Sequence, residues 1–119
     1  MIDPIFVMLA GLFVKHWYID FAHQTPKEIA NKGIYLNWYG ITHSIKHAVG
    51  TFMIFKMVGL SPLDSVTLAG IDFMLHYHID WIKMKYGNKD TTQNEFWNEL
   101  GLDQMAHYFT YLFLVWIAS

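Results

Sequence analysis

Proline, glycine and clustered charge cut the 119-residue sequence into four long apolar blocks, and this spacing constrains the fold more than any other feature. The first block runs from about Pro4 to Gln24. It stops at Thr25-Pro26, because the residue before a proline avoids helical geometry. The second runs from about Asn37 to Leu60 and ends at Gly59 and Ser61-Pro62. The third starts at Pro62, a good first-turn residue, and reaches about Lys85 before the stop signal YGNKD. The fourth begins near Gly101-Leu102-Asp103 and ends at Ala118. Each block has roughly the 17–24 residues that carry an α-helix across a ~30 Å hydrocarbon layer. The expectation is one all-α domain over residues 1–119: a four-helix up-and-down transmembrane bundle with helices over about 4–24, 37–60, 62–85 and 102–118.

Two blocks, PIFVMLAGLFV (4–14) and YFTYLFLVWIA (108–118), are apolar on every face, unlike a surface helix of a soluble bundle. The third is the weakest span, because Asp64 and Asp72 interrupt it. Charged residues make up only 15% of the chain, below the usual quarter of a soluble protein, which makes the lipid bilayer the expected partner. There is no arginine and no basic cluster, which argues against nucleic-acid binding. The absence of cysteine excludes disulfides and thiolate metal sites. Gly-rich phosphate loops, G-x-S-x-G elbows and H-E-x-x-H motifs are also missing.

The polar residues inside the blocks are not scattered. The segments HWYIDF (16–21) and HYHIDW (76–81) each set a histidine four positions before an aspartate. His43/His47 and Asp103/His107 repeat the spacing, so each pair shares one helix face. If the helices alternate up and down, all four pairs fall at one level and offer five histidines and three aspartates to a common axis, as in metal sites of helix bundles. Gln24 extends the first stripe by a turn, and Asp72 extends the third deeper into the bundle.

Neutral imidazoles with carboxylates suit zinc, iron or manganese. The expected ligands are His16, Asp20, His43, His76, Asp80, Asp103 and His107, with Asp20, Asp80 and Asp103 also as catalytic groups. His47 lies on the same stripes. Lys46 and Lys83 are candidates for binding an anionic phosphate, and Gln24 and Gln104 for orienting water or ligand. The reaction expected of such a set is metal-assisted hydrolysis of a phosphoester or lipid-like substrate. Two alternatives stand beside it: a non-catalytic bundle whose network carries protons or metal ions, with Asp72 as the deeper step, or a purely structural network. A single His/Asp pair can satisfy itself within its own helix, and His23 and His78, off the stripes, read as packing residues. Four pairs at one level favour a functional site, since an aspartate in the bilayer costs ~2.5–3.5 kcal/mol on insertion scales. Lys27, Lys32, Lys83, Lys85 and Lys89 lie at the cluster end, which places it at the cytoplasmic face of a multi-pass inner-membrane protein. A chain this small is also suited to homo-oligomerise.

The order H-x-x-x-D-F-x-x-Q, a lysine stretch, a histidine on the second helix, H-x-x-I-D-x-x-K and then D-Q-x-x-H resembles the small bacterial and phage membrane proteins grouped as domain of unknown function 3307. The matching residues are His16, Asp20, Phe21, Gln24, Lys27, Lys32, His43, His76, Ile79, Asp80, Lys83, Asp103, Gln104 and His107, across nearly the whole chain. The resemblance implies a multi-helix integral membrane protein. More distantly, the chain is similar to membrane-bound metal-dependent hydrolases. His47, His78 and Asp72 fall outside the matching pattern.

Overall fold

The computed structural model describes residues 1–119 and is all-helical. Helix α1 (Pro4–Trp17) runs directly into a π-helical turn (Tyr18–Ala22), and α2 (Pro26–Asn31) is a short helix in the following connection. Three long helices complete the chain: α3 (Trp38–Met57), α4 (Pro62–Tyr86) and α5 (Asn94–Ala118). The starts follow local chemistry. The side chains of Asp3, Asn37 and Ser61 accept the first free backbone N–H groups of α1, α3 and α4, and prolines occupy the opening turns of α1, α2 and α4.

The helix boundaries differ from expectation in four places, one being that α3 ends at Met57 rather than near Leu60. The first helical run ends at Ala22 rather than near Gln24. The 25–36 connection holds α2, because Thr25 and Glu28 form a reciprocal capping box over its first turn. Helix α5 starts at Asn94 instead of about residue 102. Gly101, read as a boundary, is accommodated inside it at the ~1 kcal/mol that a helical glycine costs.

Helix α1 packs against α3 and α5, and α4 packs against the same two, so α1 and α4 stand at opposite corners of a four-helix arrangement. One end is apolar, filled by Met8, Leu12, Ile54, Phe55, Leu68, Tyr111, Leu114 and Val115. The rest of the interior is polar. Sixteen polar or charged residues are buried against eleven hydrophobic ones, while Phe6, Val14, Val49, Met53, Leu112 and Trp116 are exposed. This inverts the arrangement of a water-soluble bundle.

By length and composition, the Pro4–Ala22 run alone is apolar enough to cross a membrane. The other long helices carry four of the five buried histidines and three of the four buried aspartates, and these lower their mean hydropathy.

Candidate metal centre

Helix α1 and its π-turn supply His16 and Asp20, α3 supplies His43 and His47, α4 supplies His76 and Asp80, and α5 supplies Asp103 and His107. The π-turn closes through a bond from the His23 N–H to the Tyr18 carbonyl at 2.7 Å and buries Ile19 and Asp20. This wider winding is a recurrent feature of functional sites, and here it carries the carboxylate that faces α3.

Within three pairs the spacing of four gives direct approaches. His16 Nε2 lies 3.3 Å from Asp20 Oδ2, His76 Nε2 3.1 Å from Asp80 Oδ2, and His107 Nε2 3.5 Å from Asp103 Oδ1. The approaches between helices are as close. His43 Nε2 and His47 Nε2 lie 2.8 and 2.7 Å from Asp20 Oδ1, and His107 Nε2 lies 3.1 Å from Asp80 Oδ1. His43 Nε2 is also 3.4 Å from Asp80 Oδ2. Five imidazoles, none more than 2% exposed, therefore turn Nε2 toward two carboxylates.

These donors fit a metal ion. Asp20, His43, His47 and His76 each offer one ligand atom within 4.8 Å of the others, as do Asp20, His76, Asp80 and His107, and also His16, His76 and His107. Both ring nitrogens of His76 and Asp80 Oδ2 are buried without a hydrogen-bond partner, although His76 Nε2 and Asp80 Oδ2 are 3.1 Å apart. A lone pair on each, aimed at a shared point, is what a cation needs.

Outer contacts orient the ring. Glu28 Oε2 lies 3.5 Å behind His43 Nδ1, and Tyr111 Oη lies 2.8 Å from His16 Nδ1. A carboxylate or hydroxyl behind an imidazole is the usual support for a ligating histidine. Burial alone would raise the Glu28 carboxyl. The Lys46 ammonium, the Thr25 N–H and the nearby His43 hold it below its ordinary value instead. Lys32 Nζ lies 3.4 Å from Asp80 Oδ2, so α2 covers the cluster with one acid and one base.

The expected residues do not all take the expected places. His16, Asp20, His43, His47, His76, Asp80 and His107 come together, and His47 is central although it lies outside the resemblance pattern. Gln104 joins them through its Oε1, 2.7 Å from His16 Nε2. With Tyr111 on its other nitrogen, His16 has both nitrogens engaged and sits at the edge of the donor set. Asp103 is on the rim, its Oδ2 accepting from Gln104 Nε2 at 2.9 Å.

Three expected residues are placed differently from the core ligands. Lys46 is paired with Glu28 rather than free for a phosphate. Gln24 donates its amide to the Asp20 carbonyl at 2.6 Å, capping its own turn, while its Oε1 is buried without a hydrogen-bond partner. Lys83 lies outside the cluster, in a cavity of about 410 Å³ between α4 and α5 that Asp103 also lines. His23 stacks on Tyr18, and His78 bonds to Tyr35 and to the Met74 carbonyl, both packing roles.

Sequence reasoning missed Lys15, Thr51, Glu28 and Tyr111, and it had Lys32 in the resemblance pattern and as a charge at the cluster end but not as a partner of Asp80. Asp72, one turn below His76, is bonded to Lys15 Nζ at 2.9 Å and to Thr51 Oγ1 at 2.5 Å. The signal for Lys15 was a single lysine beside His16 in an otherwise apolar block.

The family model described as a protein of unknown function, DUF3307, matches residues 8–119. The chain belongs to the DUF3307 family. The matched span takes in every residue of the cluster and of its outer contacts. No curated protein and no solved structure matches this DUF3307 protein.

Proposed function

We propose that this DUF3307 protein is a multi-pass protein of the inner (cytoplasmic) membrane whose His/Asp cluster binds a divalent metal, zinc, iron or manganese, and hydrolyses a phosphoester or lipid-like substrate at the cytoplasmic face. The observation that carries the reading is the convergence of buried imidazole Nε2 atoms on Asp20 and Asp80. Two buried carboxylates need balancing positive charge, of which Lys32 on Asp80 supplies one, and a metal ion among the rings would supply the rest. The membrane part is supported by the inverted exterior, where aliphatic and aromatic side chains of all four long helices point away from a polar interior. The lysines at the cluster end support a cytoplasmic orientation.

A bound divalent ion supplies a Lewis acid and a water of lowered pKa. Asp20 and Asp80 would join the imidazoles in holding the ion. The Oδ1 of Asp103 is buried without a hydrogen-bond partner, at the rim where the cluster meets the α4/α5 cavity. Asp103 is therefore placed to take a proton from water or return it to a leaving group. Ile79, Ile82, Leu102 and Ala106 give the cavity an apolar wall suited to an acyl tail, with Lys83, Glu99 and Asp103 as its charged groups. Asp72, already bonded to Lys15 and Thr51, acts in this reading as an anchor rather than a relay for protons.

Elemental analysis of the detergent-purified protein beside a His76→Ala/Asp80→Asn double variant tests the metal. Zinc, iron or manganese in the parent, lost from a variant of unchanged helicity, is the expected result and leads to a screen of lipid phosphoesters. No metal in either protein, even after adding it back, overturns the reading. Extraction of isolated membranes with alkaline carbonate tests location, and release of the protein into the wash would remove the membrane part.

A further inference from the structure

The donor set is larger than one ion can use. The rings of His47, His76 and His107 form a stack, with centroids 3.6 Å apart for the first pair and 4.1 Å for the second, each pair inclined by 28°. His76 lies in the middle, and His47 and His107 are on its opposite faces. A metal–nitrogen bond of ~2.0–2.1 Å keeps two ligands of one ion within ~4.2 Å of each other. No compact group of donors contains both His47 and His107, yet Asp20 and His76 belong to a four-ligand group with each of them.

The carboxylates have the matching layout. Asp20 turns Oδ1 to His43 and His47 and Oδ2 to His16, while Asp80 turns Oδ1 to His107 and Oδ2 to His43 and His76. A carboxylate that addresses different rings with its two oxygens is built to bridge.

We propose that the cluster holds two divalent ions: one among Asp20, His43 and His47, the other among Asp20, Asp80 and His107, with Asp20 between them. This rests on the metal reading above and deepens it. The single Nε2 of His76 completes one of the two sets. The other keeps an open position for a substrate oxygen, as a catalytic site does. Two divalent ions against Asp20 and Asp80 leave net positive charge, which selects an anionic substrate. A phosphate ester, with one oxygen on each ion, is the class such a pair clamps.

The test uses the full chain in detergent, stripped with a chelator and titrated with manganese(II). Bound ions are counted by elemental analysis, and coupling is read by electron paramagnetic resonance. The expected result is about two ions per chain with an exchange-coupled signal. His47→Gln and His107→Gln, each checked for helicity, should each fall from two ions to one and lose the coupling. Saturation at one ion per chain, or two ions with only uncoupled six-line spectra, overturns the two-ion site while leaving a metal centre. Saturation at zero overturns the metal reading itself. If either variant misfolds, the ion count and the coupling in the parent protein still decide among these outcomes.

Discussion

Lys15 Nζ stands 2.9 Å from Asp72 Oδ2, and neither side chain is more than 5% exposed. The ammonium also reaches Thr51 Oγ1 at 3.1 Å and lies 4.8 Å above the Tyr111 ring, so one buried cation ties together all four long helices. Removing one partner of such a pair strands a buried charge and costs about 3–5 kcal/mol. Lys15→Met should therefore destabilise the bundle strongly, whereas Lys15→Met/Asp72→Leu, which removes both charges, should recover much of the loss. Unfolding in mixed detergent with a double-mutant cycle measures the coupling. Equal losses in the single and double variants would show that the pair contributes through packing alone.

Gly50 makes that pair possible. A methyl group on its Cα would lie 2.7 Å from both Cγ and Cδ of Lys15, so the lysine stem runs directly across the bare backbone of α3. Gly50→Ala should cost about 1–3 kcal/mol through overpacking. In a Lys15→Met background the cost should shrink, because a flexible side chain no longer anchored at Asp72 and Thr51 can swing its Cγ and Sδ aside. The same unfolding assay checks both.

The two charges on α2 should act on metal affinity in opposite directions. Glu28 supports His43 from behind, and its loss in Glu28→Gln should weaken binding about tenfold, as for other outer partners of ligating histidines. Lys32 competes for Asp80 Oδ2, so Lys32→Met should tighten binding a few-fold to about tenfold by removing a like charge from the ion's surroundings. Calorimetric titration of the stripped protein with zinc separates the two. A shift in the same direction for both variants would mean that α2 acts only as a lid.

Acid should release the metal. Ligating imidazoles must be neutral, so protons compete with the ion, and affinity should fall steadily as pH drops through and below the ordinary histidine range near ~6.5. Zinc titrations at pH 5.5 and 7.5 check the sign. Equal affinities would point to a site built on the carboxylates alone.

Asp103→Asn separates holding the metal from using it. The residue is on the rim and outside the compact donor groups, so metal content should be unchanged while turnover of a phosphoester falls ~10²–10⁴-fold, the usual contribution of a general acid or base. Loss of metal from this variant would instead make Asp103 a ligand.

Much of this arrangement was legible in the chain. The four-residue spacing of His16/Asp20, His43/His47, His76/Asp80 and Asp103/His107 depends only on helical geometry, which the apolar blocks impose. Alternating helix direction then fixes the common level. What escaped were the contacts that depend on depth and rotation. Lys15 is adjacent to His16 and so points about a quarter-turn away from the stripe, toward α3 and α4, a direction no periodicity in α1 reveals. Glu28 and Lys32 belong to the connection between the first two apolar blocks, and only the capping box at Thr25 betrays the helix that carries them inward. The early start of α5 was hidden by Gly101, a residue that ends helices more often than it sits within them.

The apolar end of the bundle has a consequence of its own. Met8, Leu12, Phe55, Leu68, Leu114 and their neighbours close the interior below the Lys15–Asp72 pair, so the polar core is a cup with a floor and not a pipe. The histidines lie toward α2 and the α4/α5 cleft, both at the same end, while a separate cleft of about 670 Å³ between α1 and α3 reaches Lys15. If the chain spans a membrane and binds a metal as proposed, a chelator sealed on the far side of a vesicle should leave the ion in place, whereas the same chelator on the near side should remove it, so that metal loss would report which way the protein faces.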